Sequence, residues 1–291
     1  MSNKVSLRIG IDSYTYHRRF GEVRPLEVLV EVGWTTKQVV DRCSEMGVDG
    51  VSLETCFLDG TSTRHISELR RMLDDAALDR VWAWGHPGGL EMGRSPEHLA
   101  GALEAVDHAE AIGAELLRIV VGTTRFFGLE NEAAVLERLV PQVVTIADRG
   151  AEQGVPVAIE THCDLKISSL VELIETADRP NLGVVLDTAN VVRIGEDPVD
   201  AARVLAPHTM MLHLKDLDLA SSAQPGDPGG WWPCVPLGTG DLDLASILNL
   251  VHEAGFTGLA CIEVADVPPG AEEDEIVAES VRWLRALEPR S

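Results

Sequence analysis

The chain has 291 residues, of which 45% are hydrophobic and 24% are charged, and its formal net charge is −23. This length and composition fit one large globular domain and exclude a low-complexity protein. Such a negative surface repels the phosphate backbones of nucleic acids and the surface of anionic membranes, so we expect neither as partner. It leaves a small anionic substrate open, which could be bound locally by Arg118, Arg125, Arg193 and Lys215.

The cysteines and the amino terminus predict a cytoplasmic protein. The 5 cysteines form no CxxC pair, and their odd number is typical of reduced thiols rather than of a disulfide scaffold. The opening MSNKVSLRIGID lacks the apolar stretch of a signal peptide, and no run approaches the roughly 18 apolar residues of a membrane span.

Short apolar runs alternate along the chain with longer segments of helical period. The predicted strands are 5–12, 50–54, 80–85, 116–121, 155–160, 183–187, 210–215 and 258–264. The predicted helices are 35–46, 63–78, 95–112, 131–150, 168–177, 198–205, 244–254 and 274–287. This alternation predicts an α/β fold, a single (β/α)8 barrel domain over residues 1–291. A dinucleotide-binding sheet is disfavoured, because SYTYH rather than GxGxxG follows the first strand.

The seventh strand–helix unit interrupts this rhythm. Roughly 25 residues separate His213 from the helix near Leu244, and so long a structureless stretch is usually a lid or a binding loop. The adjacent Trp231 and Trp232 would supply an apolar cover. We therefore expect a lid-like insertion at about 218–242, with a floppy surface loop as the alternative.

Four side chains able to bind a metal stand at the ends of successive predicted strands: Glu160, Asp187, His213 and Glu263. A charge inside a buried parallel strand is costly unless it is paired or bound to a metal. Each residue alone could be a helix cap or a hydrogen-bonded core residue, but the carboxyl ends of barrel strands meet at one site. Three carboxylates and one imidazole favour Mn²⁺ or Mg²⁺, with Co²⁺ and Zn²⁺ as competitors.

Further polar and aromatic residues lie near the same predicted edge. His162 and Lys215 lie two residues beyond Glu160 and His213, and therefore on the same faces. Trp82 and Trp84 share a face that could be an aromatic wall of a carbohydrate pocket, although ordinary packing explains them equally well. The expected substrate-binding residues are Tyr14, His17, Glu54, Trp84, His86, Lys215 and Trp232.

Four protein ligands would leave positions on a six-coordinate ion for a carbonyl and an adjacent hydroxyl of a substrate. Such binding acidifies the C–H between the two oxygens and stabilises an enediolate. The expected substrate is therefore a small carbohydrate that carries a carbonyl group.

In combination, these motifs resemble those of the sugar phosphate isomerase/epimerase superfamily of xylose isomerase-like TIM barrels. The matching segments are ETH at 160–162, VVLDTAN at 184–190, HLKD at 213–216, GTGDLD at 238–243 and IEV at 262–264. They cover the C-terminal half of the chain, and the N-terminal half matches mainly by its strand–helix rhythm.

The resemblance implies a Mn²⁺-type centre held by Glu160, Asp187, His213 and Glu263. It also implies that Glu160 and Glu263 exchange protons with a substrate carbon, with His162 as a further catalytic candidate. The implied activity is a divalent-metal-dependent sugar or polyol isomerase or epimerase that abstracts a proton next to a carbonyl.

Departures from the family pattern leave alternatives open. Asn190 replaces a histidine of many relatives, and Ala265 and Asp266 stand where several ketose epimerases carry an arginine. IGIDSYTYH, ETH and His86 resemble the large subunits of C-glycoside deglycosidases, which pair with a small second subunit. A metal-dependent lyase or dehydratase, including elimination from a 3-oxo-glycoside, is therefore the alternative enzyme. A non-catalytic sugar-binding barrel is the alternative of a different class, and a homo-oligomer or a small partner subunit is possible.

Overall fold

The computed structural model describes residues 7–24, 27–221, 230 and 232–287. Its strands are β1 (Arg8–Asp12), β2 (Gly50–Glu54), β3 (Asp79–Trp84), β4 (Leu116–Ile119), β5 (Val157–Glu160), β6 (Leu182–Asp187), β7 (Thr209–Leu214), β8 (Asp216–Leu217), β9 (Cys234–Val235) and β10 (Leu259–Ile262). Eight of them form a closed barrel in the order β1-β10-β7-β6-β5-β4-β3-β2, and every pair is parallel. The predicted (β/α)8 barrel is confirmed.

Helices surround the barrel. They are α1 (Thr36–Met46), α2 (Thr63–Asp75), α3 (Pro96–Ile112), α4 (Glu132–Gln153), α5 (Ile167–Ala177), α6 (Thr188–Arg193), α7 (Pro198–Leu205), α8 (Leu244–Glu253) and α9 (Glu273–Leu287). Among the described residues, none of these helices has both the length and the apolar character needed to cross a membrane.

The sequence locates most elements closely but misses α6. This short helix follows β6 without a loop, because Asp187 Oδ1 accepts the backbone N–H groups of Ala189 and Asn190, each at 2.9 Å. The predicted strands also extend too far at several ends. Val120 and Val121 remain fully buried beyond the end of β4, so burial continues where strand pairing stops.

The strand register explains how the barrel positions its functional residues. One apolar cluster contains Val81, Leu116, Ala158, Val185, Met211, Leu259 and Cys261, all from barrel strands. Because side chains two residues apart share a face, the residues two positions further along point to the same side at the carboxyl end of the barrel. These are Arg118, Glu160, Asp187, His213 and Glu263.

The predicted insertion at about 218–242 lies partly outside the described residues, which omit 222–229 and Trp231. Near its two ends, β8 and β9 pair in antiparallel fashion. Trp232 is buried, with 2% of its surface exposed. Closure of this segment over the barrel stays a prediction.

Asp216 anchors the turn that follows β9. Its fully buried carboxylate accepts four backbone N–H bonds, from Leu217 and Leu242 at Oδ1 (3.0 and 3.1 Å) and from Gly238 and Gly240 at Oδ2 (2.9 and 3.0 Å). Gly240 permits this approach, since a Cβ there would lie 2.3 Å from Asp216 Oδ1. The GTGDLD segment is therefore a turn built around a buried carboxylate.

We predict that Asp216→Asn lowers the free energy of unfolding by roughly 2–4 kcal/mol, because one amide oxygen cannot satisfy four buried N–H groups. Urea unfolding followed by circular dichroism measures the loss. Asp241→Asn is the matched control, since that exposed carboxylate accepts one backbone bond, from Leu219 at 2.7 Å. Equal losses in the two variants would contradict the assigned role of Asp216.

Candidate metal centre and substrate cavity

The four predicted ligand residues converge at the carboxyl end of the barrel. Glu160 and Asp187 end β5 and β6, His213 is the penultimate residue of β7, and Glu263 directly follows β10. These four strands are neighbours in the barrel. One potential ligand atom from each residue lies within 4.8 Å of the other three, and all four residues are buried.

His213 lies between the three carboxylates. Its Nδ1 is 2.9 Å from Glu263 Oε2, 3.5 Å from Glu160 Oε1 and 3.9 Å from Asp187 Oδ2. Ligand atoms that share one ion at about 2.1 Å have similar separations, about 3–4 Å. Burial lowers the pKa of His213, but the charges of Glu160 and Glu263 outweigh that effect and raise it well above its usual value.

The donor set fits a divalent cation. Glu160 Oε2, Asp187 Oδ2 and His213 Nδ1 are buried and make no hydrogen bond of good geometry within the described part of the chain, although each lies within 3.0 Å of a charged group. Burial raises the pKa of Asp187, and the nearby Glu263 and Glu160 add to this effect although Lys215 opposes it. A cation bound between the carboxylates would relieve this repulsion. Oxygen-rich sets of this kind suit Mn²⁺ and Mg²⁺, and Zn²⁺ also accepts them.

Asp12 contacts this site although the sequence analysis did not select it. It is fully buried at the end of β1, and its Oδ2 lies 3.2 Å from His213 Nε2. Because a carboxylate accepts only, this pairing places a hydrogen on Nε2, and a cation that displaced the proton from Nδ1 would bind there. Asp12 meets the criterion that identified the other four residues, since it is an acid at the end of an apolar run.

Arg118 holds Glu160 from the side opposite to His213. Its guanidinium pairs with Glu54, and its Nε lies 3.0 Å from Glu160 Oε2. Asn190 Nδ2 donates to Glu160 Oε1 at 3.3 Å. Burial raises the pKa of Glu160, but Arg118 and His213 reverse the shift and lower it to about 2. Glu160 is therefore a fixed, ionised carboxylate.

Lys215 bridges the other two carboxylates. Its Nζ lies 2.7 Å from Asp187 Oδ2 and 2.8 Å from Glu263 Oε1. Burial lowers the pKa of Lys215, but Asp187 and Glu263 outweigh it and raise the pKa well above the usual value. A permanent positive charge therefore lies beside the four-residue cluster, which is formed by Glu160, Asp187, His213 and Glu263.

A cavity opens above the cluster, and most of the predicted substrate residues line it. These are Tyr14, Glu54, His86, Lys215 and Trp232, and the predicted catalytic residues Glu160, His162 and Glu263 line it as well. The cavity also contacts five residues that were not among the predicted substrate-binding residues: Arg24, Arg118, Asn190, Arg193 and Asp266. Arg24 and Asp266 occupy loops, Asn190 and Arg193 belong to the unpredicted helix α6, and Arg118 lies inside β4.

Two predicted substrate residues, Trp84 and His17, lie away from the cavity. Val81 packs inside the barrel, and Ala83 shares its face of the strand. Trp84 is on the opposite face and therefore points outward, where it packs near Gly101 of α3. Periodicity groups Trp82 and Trp84 on one face but does not tell which face is inside. His17 is fully buried behind Tyr14, with the two rings stacked at 4.7 Å.

His162 is held as a neutral imidazole. Burial lowers its pKa to about 4. Its Nδ1 lies 3.0 Å from the carbonyl oxygen of Gly122 and therefore donates its hydrogen there. Nε2 is consequently the nitrogen that can accept a proton.

We predict that Asp12→Asn weakens Mn²⁺ binding about 10- to 100-fold, as is typical when a carboxylate behind a metal-binding histidine is lost. The amide would donate to His213 Nε2 and move the hydrogen to Nδ1. Titration followed by electron paramagnetic resonance measures free Mn²⁺. Asp49→Asn is the control, because that carboxylate accepts Ile9 N–H at the other end of β1. Unchanged affinity in the Asp12 variant would contradict the assigned tautomer.

We predict that Asp164→Asn stabilises the fold increasingly between about pH 4 and pH 7. Burial raises the pKa of Asp164 to about 7, so the folded state keeps a proton that the unfolded state releases near pH 4. The stability that this proton contributes is complete at low pH and is lost as the pH rises through 7. The variant should gain on the order of 4 kcal/mol relative to the parent across this range, measured by urea unfolding. A constant difference would contradict the prediction.

Comparison with solved structures shows the same fold. A xylose isomerase-like TIM barrel protein from Mycobacterium smegmatis in complex with magnesium has a TM-score of 0.74 at 17% identity, covering 99% of this chain and 98% of that one. The IOLI protein with a bound zinc atom gives 0.72 at 15% identity, with 97% and 98% covered. An L-ribulose 3-epimerase gives 0.71 at 14% identity, with 97% and 94% covered.

Curated relatives cover different parts of the chain. YihM, an uncharacterized protein of Escherichia coli (strain K12), is 28% identical over 149 residues, which are 50% of this chain and only 43% of that protein. An inosose dehydratase of Lacticaseibacillus casei is 20% identical over 293 residues, 89% of this chain and 95% of that protein. A 3-oxo-isoapionate decarboxylase of Pectobacterium atrosepticum is 27% identical over 161 residues, 55% and 54% of the two chains.

A family model agrees with these comparisons. The model that describes the xylose isomerase-like TIM barrel matches residues 40–287, which include all four residues of the cluster. The chain belongs to the xylose isomerase-like TIM barrel family.

Proposed function

We propose that this protein is a divalent-metal-dependent sugar or polyol isomerase or epimerase that removes a proton next to a carbonyl. One observation carries the proposal. Of the four cluster residues, the two glutamates, Glu160 and Glu263, line the cavity, whereas Asp187 and His213 do not. The two carboxylates that can exchange protons with a substrate carbon are therefore the two that face the substrate.

Mn²⁺ is the metal that we propose, with Mg²⁺, Co²⁺ or Zn²⁺ as substitutes. The three carboxylates and His213 Nδ1 would hold it. When bound, the ion would polarise a carbonyl and an adjacent hydroxyl and so acidify the C–H between them. The magnesium and zinc recorded in two solved neighbours support a divalent ion.

Glu160 is placed to act as the base. Arg118 and Asn190 fix its carboxylate at 3.0 and 3.3 Å, so it can approach a substrate C–H without reorganisation. Glu263 is fixed on the other side by Lys215 at 2.8 Å and can return the proton. His162 offers Nε2 as a second acceptor beside Glu160.

The remaining lining favours a small carbohydrate. Trp232 supplies an apolar surface, and Tyr14, Glu54 and His86 supply hydrogen-bonding groups. Sugars need this combination, since their C–H faces pack on aromatic rings while their hydroxyls need polar partners. A cytoplasmic location and a homo-oligomer or a small partner subunit stay predictions.

Elimination is the second candidate, because the cavity also contains proton donors outside the cluster. Burial raises the pKa of Asp266 to about 7, so this cavity-lining carboxyl can carry a proton at neutral pH. A base would take the C–H proton, and Asp266 could protonate a leaving β-hydroxyl, which departs as water. The similarity to an inosose dehydratase over 89% of the chain supports a dehydratase or an elimination from a 3-oxo-glycoside.

Proton NMR in D₂O with the Mg²⁺-loaded protein tests the proposal. Ketoses, inososes, ketose phosphates and 3-oxo-glycosides serve as substrates. We expect deuterium to enter a C–H next to the carbonyl, and EDTA should abolish this exchange. Loss of water or release of an aglycone would favour elimination instead. No exchange with any of these compounds, with the metal shown to be bound, would contradict both.

Glu160→Gln should slow the exchange roughly 100-fold or more at saturating metal, because a general base contributes about 10²–10⁴ to the rate. Metal content is measured in the same samples, so that loss of the ion is distinguished from loss of the base. Glu196→Gln is the matched control, since Glu196 accepts a backbone bond from Ile167 at 3.3 Å and lies outside the cavity lining. Unaltered exchange in the Glu160 variant would exclude it as the base.

A further inference from the structure

A second cavity adjoins the one above the cluster, and the two share the lining residues Arg24, His86, His162 and Arg193. The first encloses about 50 Å³ and the second about 460 Å³. Pockets for small molecules usually measure about 300–1,000 Å³. The space above the cluster therefore holds only the reacting end of a sugar, and the rest must extend into the second cavity.

The charge of the second cavity is opposite to that of the protein. Its described lining contains three arginines, Arg24, Arg125 and Arg193, and a single carboxylate, Glu91. The chain as a whole has a formal charge of −23. A basic cavity in so acidic a protein attracts anions locally and repels other basic groups.

Hydrogen-bond donors dominate this lining. Each guanidinium carries five N–H donors in a planar fork that matches the geometry of carboxylates and phosphates. Thr123 and Thr124 add hydroxyl groups, and His98 is fixed because its Nδ1 donates to the Gly89 carbonyl oxygen at 2.5 Å. Sugar hydroxyls need donors and acceptors alike, whereas carboxylates and phosphates only accept.

We propose that the second cavity binds an anionic group, a carboxylate or a phosphate, at the end of the substrate remote from the four-residue cluster. This inference rests on the proposed function and specifies its substrate class. The substrate is an acidic sugar, either a keto-uronate or a ketose phosphate, whose carbonyl end lies at Glu160 and Glu263 and whose charged end contacts Arg125 and Arg193.

Three ligands that differ only at C6 test the proposal: D-fructose, D-fructuronate and D-fructose 6-phosphate. Their binding to the Mn²⁺-loaded protein is measured from the broadening of ligand proton signals, which requires no turnover. We expect at least tenfold tighter binding of one acidic ligand than of D-fructose, and the ligand that binds tighter names the source of the charge. The protons near C6 should broaden least.

Two arginines that contact the same aromatic ring provide matched variants. The guanidiniums of Arg94 and Arg125 lie 4.9 and 4.7 Å from the centre of the Phe126 ring, but only Arg125 lines the cavity. Arg94 pairs with Glu130 and Arg125 with Glu91. Arg125→Gln should remove most of the tenfold preference for the acidic ligand, and Arg94→Gln should retain it. Arg193→Gln is expected to act as Arg125→Gln does.

The outcomes separate this proposal from the proposed function. Equal or weaker binding of both acidic ligands, or a preference that survives in the Arg125 and Arg193 variants, would overturn the anionic subsite. The same holds if the protons near C6 broaden most. Selective binding without deuterium exchange next to the ketone would retain the subsite and refute the enolising activity. Deuterium exchange in neutral ketoses alone would support the enolising activity and refute the anionic subsite.

Discussion

The neutralisation of one buried imidazole and four buried carboxylates is the constraint on which the rest of this structure depends. Asp12, Glu160, Asp187 and Glu263 each have a carboxylate oxygen within 4 Å of the His213 ring, and all of these side chains are buried. Burying so many like charges is unfavourable unless each has a partner. Cationic side chains therefore have to lie beside these carboxylates, and this requirement determines how the side chains are arranged at the carboxyl end of the barrel.

Arg118 and Lys215 supply that charge from the protein. Arg118 connects Glu54 of β2 with Glu160 of β5, and Lys215 connects Asp187 of β6 with the segment after β10. These ion pairs link strands that are distant in sequence. Removing one partner would leave an unpaired buried charge, so the network keeps the ligand atoms in place even without an ion.

Sequence patterns could predict the barrel and the convergence of Glu160, Asp187, His213 and Glu263, because each has a local signal in the sequence. An acid or a histidine inside an apolar run is conspicuous, and the strand period places it relative to its neighbours. The partners of these residues are not local. Arg118 lies inside an apolar run, and its link to Glu54 depends on strand order. Trp84 was misplaced because alternation defines two faces without saying which one is inside. The helix α6 escaped prediction because it has only six residues and begins directly after β6, with no loop to separate the two.

The HLKD segment joins two physical tasks in consecutive residues. Lys215 contacts the carboxylates of the cluster, while the adjacent Asp216 faces the other way and holds the backbone of the GTGDLD turn. Kinetic losses after substitution in this motif therefore have two different meanings. A defect at position 215 reports on the electrostatics of the centre, whereas a defect at position 216 reports on the scaffold, even though both would look catalytic in a scan of a shared motif. Only a fold measurement beside each rate tells them apart.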